Sequence, residues 1–130
     1  MGRDPGERTR ARLVLLVLLV VAVVVQLVVL YAPSTPSVSP FPNSDKAIHA
    51  LVFLAPVAVA LLAGGRPRVV VAVFAAHAVI SEVVQHTLLP GRSGDPLDVL
   101  ADLTGVALGY LVWRLVVRSS GPDARSGTGG

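Results

Sequence analysis

The sequence predicts an all-α fold: a bundle of four membrane-spanning helices with both termini on the cytoplasmic side. Three observations carry that expectation. Hydrophobic residues make up 53% of the 130-residue chain, and the mean hydropathy is +0.72. They gather into four apolar runs, each near the roughly 20 residues needed to cross a bilayer. The basic residues are sorted to one set of run ends. Arg3, Arg8, Arg10, Arg12, Arg66, Arg68, Arg114, Arg118 and Arg125 lie there, against only Lys46 and Arg92 at the other. Basic residues are retained in the cytoplasm, so this bias sets the orientation.

Composition also excludes function classes. A pI of 10.2 would suit a nucleic-acid binder. Here, however, the arginines flank apolar spans and form no basic face among aromatics, so no nucleic-acid partner is expected. With no cysteine in the chain, disulfides, thiol chemistry and thiolate metal centres are ruled out.

A basic cytoplasmic segment, residues 1–12, leads into span 1 at about 13–31, where Gln26 is the one polar interruption. This run exceeds the 7–15 apolar residues typical of a signal peptide, and the small-x-small cleavage pattern is poor, so span 1 is expected to be a retained helix. Residues 32–44 hold four prolines and no charge, which forbids a helix and predicts an extended or packed loop. Span 2, about 45–64, ends at Gly64-Gly65, and span 3, about 69–89, stops at Pro90-Gly91. A short turn leads to span 4 at about 97–117, closing a membrane domain at 13–118. The Gly/Ser-rich tail, residues 119–130, is expected to be disordered and cytoplasmic. Short connections make spans 2, 3 and 4 antiparallel neighbours.

Ionisable residues inside these spans carry the functional signal, because charge in a bilayer is costly and marks a site by default. Asp45, His49, Glu82, His86, Asp98 and Asp102 all fall toward the end opposite the arginines. Asp45 and His49 lie four apart on one face of span 2, where Asp45 can cap the helix or meet its dipole. Pro56 follows on a similar face and frees a backbone carbonyl. Glu82, Gln85 and His86 share a face of span 3, with Glu82 the deepest carboxylate. Asp95 before Pro96 reads as a helix cap. Asp98 and Asp102 start a stripe that Gly105 and Gly109 continue, and two glycines four apart permit close helix approach in a membrane. That stripe is expected to bring Asp102 against span 3. His49 and Glu82 are expected to share a proton or hydrogen bond, and Asp98 has Arg92 as a candidate partner. The expected site is one outward polar pocket of Asp45, His49, Glu82, Gln85, Asp98 and Asp102, with Arg92 at its mouth as a bidentate anchor for a carboxylate or phosphate.

Four segments, in order on consecutive spans, resemble the VanZ-like family of small bacterial membrane proteins: Asp45-Lys46-x-x-His49, Glu82-x-x-Gln85, Pro90-x-Arg92 and Asp98-x-x-Ala101-Asp102-x-x-Gly105. The resemblance covers residues 43–110. One departure is Asp102, where the family often has Asn. The resemblance implies an integral membrane protein whose founding member is linked to resistance to teicoplanin, a glycopeptide that binds cell-wall precursors. It informs fold and context more than mechanism.

The favoured function is a non-catalytic module, needing no cofactor, that binds an extracytoplasmic cell-envelope precursor or glycopeptide. An alternative is a membrane enzyme using His49, Glu82, Asp98 and Asp102 as acids and bases on a lipid-linked or peptide substrate. Against it, Ser81 is the nearest hydroxyl, and adjacent residues do not face each other on a helix. Metal ligation by His49, His86 and two carboxylates is a weaker variant. A proton relay through Glu82 would need oligomerisation, which the sequence permits.

Overall fold

The computed structural model describes residues 4–33, 41–91 and 94–121, and the only regular elements among these are four helices. They are α1 (Pro5–Tyr31), α2 (Ser44–Leu62), α3 (Pro67–Leu88) and α4 (Pro96–Ser119). Each is long and apolar enough to cross a membrane. Most of the Pro-rich connection, Arg92 and the tail beyond Gly121 lie outside the described residues.

Helix α1 begins at Pro5, upstream of the apolar run that starts at Leu13. Proline suits a first helical position, since its missing N–H would have no intrahelical partner there. At 1.5 Å per residue, its 27 residues span about 40 Å, against about 30 Å of hydrocarbon. The surplus carries Arg8, Arg10 and Arg12 beyond the apolar layer. Helix α2 is preceded by Asn43 in the left-handed region (φ 60°), which makes no side-chain capping bond. Asp45 therefore sits in the first turn, near the positive end of the helix dipole, and is not the cap.

The bundle is organised by α2 and α4. Lys46 meets Asp98, His49 meets Asp102, and Ala50 and Leu54 meet Gly105 and Gly109. Both numbers in these pairs rise together, so α2 and α4 run parallel, with α3 as the antiparallel return between them. This pair forms the broadest interface in the molecule. Short connections predict antiparallel neighbours, but the α2–α3 contact is thin, and α3 packs more on α4. Glycine explains the preference. A Cβ on Gly105 would collide with the Ala50 carbonyl oxygen, and one on Gly109 would come within 2.7 Å of the Leu54 oxygen. Only these hydrogen-sized side chains admit so close an approach.

Phe53, Val57 and Leu61 of α2 form the core with Leu30 of α1, Ala78 of α3 and Val106 of α4. Helix α1 packs through its second half, burying Gln26 and Leu30. Its first half exposes Leu13, Val14, Val17 and Val20, a surface that belongs against lipid. The C-terminal ends of α1 and α3 thus meet the N-terminal ends of α2 and α4 at one end of the bundle, which is the acidic end. Tyr110 and Trp113 lie beside Arg114 toward the basic end, the arrangement of an interfacial anchor.

Candidate functional site

Three polar groupings occupy the acidic end. The outermost is built on Lys46. Its Nζ donates to Asp95 Oδ2 at 3.1 Å, to Asp98 Oδ1 at 3.3 Å and to Asp45 Oδ2 at 3.5 Å. One ammonium thus ties the first turn of α2 to the start of α4. Asp95 also caps α4, with Oδ1 accepting from the Leu97 amide at 2.9 Å. That amide first, and the Lys46 ammonium second, hold the Asp95 carboxyl below its ordinary value of 3.8.

One turn deeper, His49 Nδ1 donates to Asp102 Oδ1 at 2.9 Å. Asp102 is fully buried and His49 is 8% exposed. With the carboxylate as acceptor, Nδ1 carries the proton, and Nε2 keeps its lone pair when the imidazole is neutral. The second carboxylate oxygen, Asp102 Oδ2, has no partner.

The third grouping is Glu82. It is 8% exposed, and neither carboxylate oxygen makes a hydrogen bond. The Asp95 amide faces it without closing one. Glu82 lines an open groove of about 410 Å³ between the last turns of α3 and the first of α4. His86 lies at its rim, where Nδ1 accepts from the Gly94 amide at 3.3 Å. A larger groove of about 630 Å³ also lies between α3 and α4, lined by Arg68, Val71, Val106 and Tyr110. It is apolar, contains none of the acidic residues and lies toward the basic end. Of these two grooves, only the smaller is lined by an acidic residue.

The residues expected to form one pocket are therefore partly dispersed. His49, Asp98 and Asp102 line the α2–α4 seam, and Glu82 faces the α3–α4 groove. Asp45 is half-exposed and touches the others only through Lys46. Gln85 turns away, donating through Nε2 to the Leu30 carbonyl at 2.9 Å, so it joins α3 to α1. Two expected pairings are corrected. Asp102 meets α2 rather than α3, because the glycine stripe docks there. His49 pairs with Asp102 rather than Glu82. Asp98 pairs with Lys46; its expected partner Arg92 lies outside the described residues.

Sequence reasoning missed Lys46, which the acid excess at that end signals. It also missed Gln26, fully buried with neither amide atom partnered; its signal is being the lone polar residue of its run. His77 makes no acidic contact, and its Nε2 lies 3.2 Å from the Tyr31 hydroxyl. Among the described residues, no three His, Asp or Glu side chains gather as metal ligands.

These features define a small multi-pass membrane protein with a buried histidine–carboxylate pair at one end of its bundle. The chain belongs to the VanZ/LLP1 family, whose profile matches residues 8–117. No curated protein and no solved structure matches it.

Proposed function

We propose that this protein is a non-catalytic membrane module whose acidic end faces outward and binds a cell-envelope precursor or a glycopeptide of the teicoplanin type. The observation that carries this reading is the set of buried, unpartnered carboxylate oxygens on Glu82 and Asp102. Such atoms destabilise a fold by about 1–3 kcal/mol each, so a site that retains them is one that a ligand completes. The non-catalytic part rests on the hydroxyls. Ser81 Oγ donates to the Ala78 carbonyl within its own helix, and Thr87 and Thr104 do likewise to Val83 and Leu100. None of these is held by a base. The outward orientation rests on the arginine distribution.

The test is teicoplanin sensitivity in a susceptible host. The native chain is compared with a Glu82→Gln/Asp98→Asn double variant at matched membrane levels. Protection by the native chain alone is expected; equal sensitivity of both strains would sink the resistance role.

The His49–Asp102 pair favours a second reading, a membrane enzyme in which Nε2 acts as a base on a lipid-linked or peptide envelope substrate. Turnover of an envelope precursor by the purified protein, abolished in His49→Gln, would replace the first reading with this one.

A further inference from the structure

We infer that the groove between α3 and α4 seats an amphiphile with a primary ammonium headgroup, its nitrogen on Glu82. This rests on the reading of the acidic end as a ligand site and names the ligand class.

Charge decides the head. Asp45, Glu82, Asp95, Asp98 and Asp102 stand at this end, against Lys46 and, in the α3–α4 connection, Arg92. Lys46 is already shared among Asp45, Asp95 and Asp98, so it is not available to Glu82. An anionic ligand would meet a carboxylate and an acidic surround. An uncharged apolar ligand would leave both Glu82 oxygens unpaired and cut off from water. A metal ion would want several ligands together, and none of the described residues gather so. An ammonium supplies a compensating charge and three donors to oxygens that have no other partner.

The walls decide the rest. Besides Glu82 and His86, the groove is lined by Val83, Thr87, Pro96 and Val99. Val83 is 56% exposed on the outer face of α3, with Leu97 and Leu100 of α4 similarly open, so the groove borders the lipid. Its volume of about 410 Å³ lies in the roughly 300–1,000 Å³ range of small-molecule sites. A cationic head on Glu82 with an alkyl chain along Val83 and Val99 satisfies both surfaces at once.

The experiment uses the full chain in phosphatidylcholine nanodiscs, with radiolabelled dodecylammonium below its micelle concentration and protein-free discs as blank. Saturable binding is expected, with dodecanol competing poorly and dodecyl sulfate not at all. Glu82→Gln should weaken it by about tenfold or more, the scale of one charge-assisted hydrogen bond. Val99→Trp, which fills the groove without touching the charge, should weaken it too. Unaltered binding in both variants, or tighter competition by dodecyl sulfate, overturns the inference. Displacement by added phosphatidylethanolamine would assign the seat to a lipid headgroup, and no displacement to a free amine; either keeps the ammonium seat. Teicoplanin protection without dodecylammonium binding removes this inference and leaves the function standing. Binding without protection does the reverse.

Discussion

Asp102 and His49 set the chemistry of the buried seam, and the two partners are not equivalent. Asp102 Oδ1 accepts the His49 Nδ1–H bond, while Oδ2 accepts nothing. An asparagine would keep the acceptor and drop the charge. Removing the imidazole instead would strand a buried carboxylate. Asp102→Asn is therefore expected to change stability by less than about 1 kcal/mol, and His49→Ala to destabilise by about 1–3 kcal/mol. Unfolding midpoints in mixed detergent, followed by circular dichroism, check this. Equal losses in the two variants would make the pair an ionic one that needs its charge. At this scale the sequence was legible in part. Helical spacing put His49, Glu82, Asp98 and Asp102 at one end, because spacing along one helix fixes height and face. It could not fix partners across helices. The same carboxylate-rich end offered His49 either Glu82 or Asp102, and the choice depends on how α4 rotates onto α2. Lys46 escaped the sequence reading for the same reason, since its three partners lie on two helices.

Helix α4 is rotated by Gly105 and Gly109. Their backbone meets Ala50, Leu54 and Val57 of α2 with no room for a Cβ, so the interface also sets the height at which Asp98 reaches Lys46 and Asp102 reaches His49. Gly105→Val is expected to cost about 1–3 kcal/mol through overpacking and to weaken both contacts together. Leu108→Ala, on an exposed face of the same helix, serves as the control and should leave the unfolding midpoint nearly unchanged. If Gly105→Val leaves the midpoint where it was, the seam is not what positions the pair. The glycine stripe was visible in the sequence as an inward face, yet its partner was not. A four-residue connection such as 63–66 proves only that α2 and α3 are sequential. The broadest contact instead joined the first and third of three consecutive helices, where the smallest side chains allowed it. Helix α1 reaches back through the polar residues that precede its apolar run, because Asp4-Pro5 is a helix-start signature and helix and membrane span need not end together.

The whole molecule divides its charge along one axis. Arg8, Arg10, Arg12, Arg66, Arg68, Arg114 and Arg118 stand at one end among the described residues, and the carboxylates of α2, α3 and α4 stand at the other. On the proposed orientation, with arginine retained in the cytoplasm, Glu82, His49 and Asp102 would lie in the outer half of the bilayer, within reach of an envelope ligand and not of a cytoplasmic one. Because the chain has no cysteine, single cysteines report this without background. Phe41→Cys, next to the start of α2 and 71% exposed, should react with a membrane-impermeant maleimide in intact cells. Ser119→Cys, at the end of α4, should react only after permeabilisation. The opposite pattern would turn the acidic end inward. The four-helix fold, the VanZ/LLP1 membership and the His49–Asp102 pair would stand unchanged, but an extracytoplasmic ligand would lose its route to the site, and the search would move to cytoplasmic amines and the inner leaflet.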